Sequence, residues 1–180
     1  MNTANKITMS RIFLVPIFMV FLLYDLPFAQ YISAIIFVAA AATDGIDGYV
    51  ARKYDQITTF GKFIDPLADK LLVTAALVGL VYMDKLNPWF ALIIISREFI
   101  VTSLRIVAIS TGKVIPAGMS GKIKTVLQIA AIVAMLIDRV YVISVGGVLL
   151  SNVIMVCAVL MTVYSGAEYI ILNKDLIEAR

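Results

Sequence analysis

Apolar runs that are long enough to cross a lipid bilayer follow one another along almost the entire sequence. Of the 180 residues, 62% are hydrophobic and only 15% are charged, which is too apolar a composition for a soluble domain of this length. A transmembrane helix needs about 20 apolar residues, whereas transmembrane β-strands alternate apolar and polar residues, which these runs do not. The sequence therefore predicts an all-α integral membrane protein with six transmembrane helices, forming a single catalytic domain over residues 1–180. The predicted spans are 7–24, 31–52, 61–83, 88–110, 122–140 and 147–172.

The basic residues between these spans predict the orientation of the chain. Lysine and arginine collect on the cytoplasmic side of membrane proteins. With six spans, one side carries most of the basic residues of the loops and termini, and the other side carries only Lys85 and Arg139. We therefore expect a multi-pass protein of a cell membrane, with both termini and the connection between the second and third spans in the cytoplasm.

Histidine is absent, and Cys157 is the single cysteine. This composition excludes Ser-His-Asp catalysis, phosphoryl transfer through a histidine, and metal sites built from histidine or cysteine. It also excludes a disulfide framework.

Four aspartates lie in two pairs beside the predicted cytoplasmic connection. Asp44 and Asp47 are three positions apart, and Asp65 and Asp69 are four apart. On helices both spacings place the two side chains on one face, and the second and third spans are expected to be antiparallel neighbours. Four carboxylates that converge in a medium of low dielectric constant need protons or cations, and oxygen ligands favour Mg²⁺ or Mn²⁺. These residues predict a site for two divalent cations, which suits displacement at phosphorus. We interpret Asp55 as an ordinary helix-end or solvated charge.

Small and basic residues are interleaved with the aspartates. Gly48 follows Asp47 directly and allows a ligand to approach the backbone, and Gly61 leaves similar room one turn before Asp65. Arg52 is a fixed cation that can pair with phosphate oxygens.

Taken together, this stretch reads D-x-x-D-G-x-x-A-R, then eight residues, then G-x-x-x-D-x-x-x-D. The pattern resembles the signature of the CDP-alcohol phosphatidyltransferases, which are membrane enzymes with six transmembrane helices. Its positions are filled by Asp44, Asp47, Gly48, Ala51, Arg52, Gly61, Asp65 and Asp69. The resemblance implies that the four aspartates hold two Mg²⁺ ions against the diphosphate of a CDP-linked lipid. An alcohol then attacks the lipid-side phosphorus and CMP leaves.

The same resemblance implies individual roles and an assembly. Asp69 is the general base for the attacking hydroxyl, and Gly48, Ala51, Arg52 and Gly61 lie at the nucleotide end of the site. It also implies a homodimer.

Basic residues farther along the chain predict a site for a phosphate on the accepting alcohol. Arg97 and Arg105 are eight positions apart in the fourth span, about two helical turns, so both can face one cavity. Charged residues inside a membrane generally mark a functional interior. Lys122 and Lys124 begin the fifth span, where the helix N-terminus also attracts anions. Pairing of the arginines with Glu98, and simple anchoring by the lysines, are the alternatives.

Further motifs favour one branch of the family. The start "NKITMSRIFLVP", the "SRE" followed by "LR" in the fourth span, and "GKIKT" at the fifth are similar to bacterial members that use CDP-diacylglycerol and glycerol 3-phosphate. This resemblance implies the bacterial inner membrane, and it places Asn5, Thr8 and Arg11 close to the nucleotide or metal site. An acceptor such as inositol phosphate or serine remains an alternative, as does a cation transporter with intramembrane aspartates. We expect no nucleic-acid partner.

Overall fold

The computed structural model describes the backbone of residues 3–24, 28–53, 59–110, 115, 118–138, 144–145 and 148–174. It describes the side chains of these residues apart from 3–7, 30, 44–53, 59–66, 69, 110, 145 and 148. Six α-helices make up most of this part of the chain. They are α1 (Thr3–Leu23), α2 (Ala29–Lys53), α3 (Thr59–Tyr82), α4 (Pro88–Ser110), α5 (Met119–Ile137) and α6 (Leu150–Leu172).

A small antiparallel hairpin precedes the last helix. Its strands are β1 (Ser144–Val145) and β2 (Val148–Leu149), and Val145 pairs with Val148. In the sequence, positions 146 and 147 between the strands are both glycine, and they lie outside the described residues.

The predicted all-helical class is confirmed, and each predicted span corresponds to one helix with changed ends. The first helix begins four residues earlier than expected, and the fifth begins and ends three residues earlier. The sixth helix begins at Leu150 rather than at 147, because residues 148–149 pair with β1. That the chain forms a single catalytic domain stays a prediction.

Apolar length and composition mark two of the described helices, α5 and α6, as able to cross a membrane. Shorter apolar segments lie in α1, α2 and α3, at Thr8–Leu23, Tyr31–Thr43 and Lys70–Tyr82. Large apolar side chains also cover outward faces, including Phe13, Ile35, Phe99, Val126 and Leu160, each at least 60% exposed. Extensive exposed apolar surface is unusual in soluble monomers. These features indicate a membrane protein, and the crossing of a bilayer by all six helices stays a prediction.

Residues 1–86 and 132–143 form one compact unit. Within it, α1 packs against both α2 and α3. The buried rings of Phe18 and Phe37 lie with their centroids 5.8 Å apart. Gly79 of α3 permits the close approach of α1, since a Cβ there would lie 2.4 Å from Cδ2 of Leu22.

Residues 87–131 and 144–180 form the second unit, in which α4 packs against α6. The start of α4 is capped, because Oδ1 of Asn87 accepts a hydrogen bond from the Trp89 N–H at 2.9 Å and proline occupies the first helical position. The core includes Ile94 of α4 and Met155 of α6, both fully buried. This packing carries the polar side chains of α4 and α6 into one interior.

Candidate functional site

The four motif aspartates lie on consecutive helices of the first unit. Asp47 is six positions before the last residue of α2, and Asp65 is six positions after the first residue of α3. Asp44 and Asp69 lie nine and ten positions from the same helix ends. At about 1.5 Å per residue, each aspartate of α2 has a counterpart in α3 at a similar distance from the five-residue connection. The backbone positions of the four aspartates are therefore spaced similarly from the facing ends of α2 and α3.

The side chains of the motif lie outside the described residues. This applies to Asp44, Asp47, Asp65 and Asp69, to Gly48, Ala51, Arg52 and Gly61, and to Asn5. The predicted convergence of the carboxylates and the predicted cation site therefore stay predictions. Among the side chains that are described, no group of three metal-ligating residues occurs.

Arg11 of α1 reaches the helix that carries the first aspartates, and Thr8 is buried one turn before it. Thr8 and Arg11 are both 1% exposed, and the Nε–H of Arg11 donates to Oγ1 of Thr43 at 3.3 Å. The Thr43 hydroxyl in turn donates to the Ala40 carbonyl at 2.6 Å. Thr43 directly precedes Asp44, so α1 places a buried guanidinium one residue from the start of the motif.

A polar cluster joins α4, α5 and α6 within the second unit. Oε1 of Glu98 accepts hydrogen bonds from Nζ of Lys124 and from Nη1 of Arg97, the latter at 3.3 Å. Nη2 of Arg97 donates to Oγ of Ser165 at 3.1 Å. Lys124 is 2% exposed, so this pair with Glu98 compensates a charge that is shielded from solvent.

A cavity of about 280 Å³ opens beside this cluster. Arg97 and Arg105 of α4 both line it, and their binding of the acceptor phosphate stays a prediction. Opposite them α6 contributes Ser165, Glu168 and Tyr169. The start of α5 contributes Ser120 and Gly121, and Gly118 lines the cavity just before that helix.

Several hydrogen-bond donors on this wall lack partners. Nε of Arg97, Nε of Arg105 and the hydroxyl of Tyr169 are buried and without a hydrogen-bond partner in the described part of the chain. The guanidinium of Arg105 lies over the Tyr169 ring, 5.7 Å from its centroid. Together with the positive end of the α5 dipole, these groups form a cavity suited to an anion.

The predicted lysines take separate positions. Lys124 is buried in its pair with Glu98, whereas Lys122 is exposed and does not line the cavity. Residues two positions apart on a helix lie on different faces, so these two side chains are not brought together.

Ser165 and Tyr169 were not among the residues predicted for the acceptor site. Both belong to the sixth apolar run, where Thr162, Ser165, Glu168 and Tyr169 recur at spacings of three and four. A polar stripe with that period inside an apolar helix is the signal that could have identified them.

An apolar groove of about 470 Å³ runs along α2 in the first unit. Its wall includes Tyr31, Ile35, Val38 and Ala42, with Ile137 from the end of α5. Ala42 is two residues before Asp44, so the groove runs along the same helix up to the start of the motif.

The model of one protein family, described as CDP-alcohol phosphatidyltransferase, matches residues 1–164. The chain belongs to the CDP-alcohol phosphatidyltransferase family. This confirms the resemblance that the aspartate pattern indicated, and it makes the chain a member of a transferase family of phospholipid biosynthesis.

Individual members of the CDP-alcohol phosphatidyltransferase family are similar over nearly the full chain. A Bacillus subtilis protein named CDP-diacylglycerol–glycerol-3-phosphate 3-phosphatidyltransferase is 45% identical, over 97% of this chain and 96% of the relative. A Mycobacterium tuberculosis protein named probable phosphatidylglycerophosphate synthase is 39% identical, over 94% of this chain and 80% of the relative. A Rickettsia felis protein with the same name as the Bacillus relative is 32% identical, over 93% of both chains.

Proposed function

We propose that this protein transfers the phosphatidyl group of CDP-diacylglycerol to glycerol 3-phosphate, which yields phosphatidylglycerophosphate and CMP. The observation that carries the proposal is the match to the family, together with the 45% identity to a relative named for this reaction. The complete aspartate signature and the cationic cavity support it from the residues themselves.

The donor side of the reaction belongs to the first unit. Asp44, Asp47, Asp65 and Asp69 would hold two divalent cations, most simply Mg²⁺, because carboxylate oxygens on neighbouring helices are the donor set that hard ions prefer. Bound there, the cations would offset the negative charge of the diphosphate and of the leaving CMP.

Side chains of the first unit have further roles in this proposal. Asp69 accepts the proton of the attacking hydroxyl. Arg52 and the backbone at Gly48, Ala51 and Gly61 bind the nucleotide, and Asn5 and Thr8 of α1 lie beside that site. The apolar groove along α2 suits an acyl chain of the lipid substrate, since its wall is lined by apolar side chains.

The acceptor side belongs to the second unit. Arg97 and Arg105 line a cavity that can hold a small phosphorylated polyol, and guanidinium groups bind phosphate through paired hydrogen bonds. Glu98 offsets the charge of Lys124 and also pairs with Nη1 of Arg97. Arg105, the other arginine of this cavity, has no ion pair among the described residues. Lys122, which is exposed, would act at longer range by raising the local potential for anions.

The membrane arrangement is part of the same proposal. All six helices cross the inner membrane of a bacterium, both termini and the site face the cytoplasm, and two copies form a homodimer. A cytoplasmic site fits the reaction because glycerol 3-phosphate and CMP are both charged and do not enter hydrocarbon.

An acceptor panel tests the proposal. Purified protein with CDP-diacylglycerol and Mg²⁺ is supplied in turn with glycerol 3-phosphate, inositol phosphate and serine, and release of CMP is measured. Of the three acceptors, we expect only glycerol 3-phosphate to release CMP, and we expect no release after chelation of the metal. CMP release with a different acceptor would correct the substrate, and metal flux without nucleotide chemistry would favour a transporter.

A further inference from the structure

We propose that the hydroxyl of Tyr169 donates a hydrogen bond to the phosphate of the acceptor, which makes Tyr169 a third phosphate-binding residue beside Arg97 and Arg105. The inference rests on the proposed function, and neither the sequence pattern nor the names of the relatives assign a role to this residue.

The hydroxyl of Tyr169 is a buried donor without a partner among the described residues. Tyr169 is 8% exposed, and its hydroxyl is buried with no hydrogen-bond partner in the described part of the chain. A buried polar group without a partner is unfavourable, and such groups are rare enough in folded proteins to require an explanation. A ligand that accepts the hydrogen bond removes the cost.

Two further donors without partners lie on the same cavity wall as the hydroxyl. Nε of Arg97 and Nε of Arg105 are likewise unpartnered, and all three residues line the same cavity. Each of the three groups can only donate at physiological pH, apart from the weak acceptor capacity of the phenol. Phosphate oxygens accept several hydrogen bonds at once, so one anion can satisfy donors from both α4 and α6.

The ring of Tyr169 contacts one of the two arginines. Arg105 lies over it at 5.7 Å from the centroid, a distance typical of a cation–π interaction. The ring thus orients Arg105, while the hydroxyl contacts the ligand. Glu168, the neighbouring residue on the cavity wall, offers a carboxylate that can accept from the hydroxyls of the polyol.

Two substitutions at this position separate the hydroxyl from the ring. Tyr169→Phe removes only the hydroxyl, and we expect the KM for glycerol 3-phosphate to rise about tenfold, the usual effect of losing a hydrogen bond to a charged group. The kcat and the KM for CDP-diacylglycerol should stay within about twofold of wild type. Tyr169→Leu also removes the ring beneath Arg105, and its KM should rise further. Tyr164→Phe, on the exposed face of the same helix at 60% exposure, is the matched control.

Inorganic phosphate distinguishes the phosphate from the glycerol part of the acceptor. We expect it to inhibit wild type competitively with glycerol 3-phosphate, with a Ki that rises in Tyr169→Phe by the same factor as the KM. A KM that rises without any change in this Ki would place the hydroxyl on the glycerol moiety and overturn the assignment. An unchanged KM in Tyr169→Phe, with a raised KM in Tyr169→Leu, would also overturn it, because the ring alone would then matter.

Thermal unfolding without substrates tests whether the Tyr169 hydroxyl has a structural role instead. The hydroxyl has no partner within the described protein, so Tyr169→Phe should not lower the Tm, and inorganic phosphate should raise the Tm less than it does in wild type. A variant that unfolds early or does not accumulate would contradict the proposal. The phosphate-induced Tm shift does not depend on turnover, so it tests Tyr169 even if wild type fails to release CMP with glycerol 3-phosphate.

Discussion

Lys124 of α5 donates a hydrogen bond to Oε1 of Glu98 of α4, and the side chains are only 3% and 21% exposed. The same oxygen accepts from Arg97 at 3.3 Å. One carboxylate therefore holds a lysine that does not line the cavity and an arginine that does. This arrangement connects the stability of the second unit to the geometry of its cavity.

Replacing Glu98 by glutamine should destabilise the protein. The change removes the Glu98 carboxylate from the buried Lys124, and removal of one member of a buried ion pair typically costs about 3 kcal/mol. We expect a clearly lower Tm in detergent. Glu98→Gln combined with Lys124→Met should recover most of the loss, and Lys122→Met on the exposed face of α5 should leave the Tm nearly unchanged. Equal Tm values for wild type and Glu98→Gln would show that the pair contributes little.

Arg105→Lys should weaken the binding of glycerol 3-phosphate and leave the binding of CDP-diacylglycerol nearly unchanged. Lysine keeps the charge but loses the planar set of donors and the stacking on Tyr169, so the KM for glycerol 3-phosphate should rise about tenfold or more. The KM for CDP-diacylglycerol should stay near that of wild type. Lys122→Gln should have a smaller effect, because Lys122 does not line the cavity. A larger rise in this KM for Lys122→Gln than for Arg105→Lys would indicate that the phosphate binds outside the cavity.

Gly166→Ala should displace Arg97. A Cβ at this position would lie 3.0 Å from Cγ of Arg97, which is tighter than ordinary van der Waals contact. The shift of the arginine should raise the KM for glycerol 3-phosphate about threefold to tenfold, as expected for a strained side-chain rotamer.

A double-mutant cycle gives the control for Gly166. In Arg97→Ala the added methyl group has no arginine side chain to contact. Gly166→Ala should therefore have little further effect on the KM in that variant. Additive effects of the two substitutions would mean that Gly166 acts through another residue.

Asp69→Asn should stop the reaction and leave the protein intact. If Asp69 accepts the proton of the attacking hydroxyl, release of CMP should fall by about 100-fold or more, with an unchanged elution profile and secondary structure. Asp55→Asn, whose aspartate lies outside the signature, should retain most activity. Normal turnover by Asp69→Asn would remove that residue from catalysis.

Local sequence patterns predict the helices and the family well, for a physical reason. Spacings such as Asp44 to Asp47 and Arg97 to Arg105 depend only on the 3.6-residue period of a helix, so one-dimensional information suffices to place such residues on a face. The family signature adds fixed positions in a single stretch. Both kinds of inference use short distances along the chain.

Other features depend on packing between distant segments. The sequence "GKIKT" does not show which lysine turns inward, and the structure buries Lys124 against Glu98 while Lys122 stays exposed. Tyr169 lies in a run that is apolar enough to be taken as uniform, and its proximity to Arg105 follows from the contact of α6 with α4. Residues 148–149 look like the start of an apolar helix, and pairing with β1 gives them another conformation.

In the membrane arrangement proposed above, the β1–β2 hairpin would fix the depth of the last helix in the bilayer. A two-stranded ribbon leaves backbone groups unpaired along its outer edges, and these are not tolerated in hydrocarbon, so the ribbon has to stay at the headgroups. Leu150 follows β2 directly, and at about 1.5 Å per residue Tyr169 then lies roughly 29 Å farther on, close to the opposite headgroups of a core about 30 Å thick. A ribbon of four paired residues would thus act as a stop that keeps Tyr169 within reach of water-borne substrate.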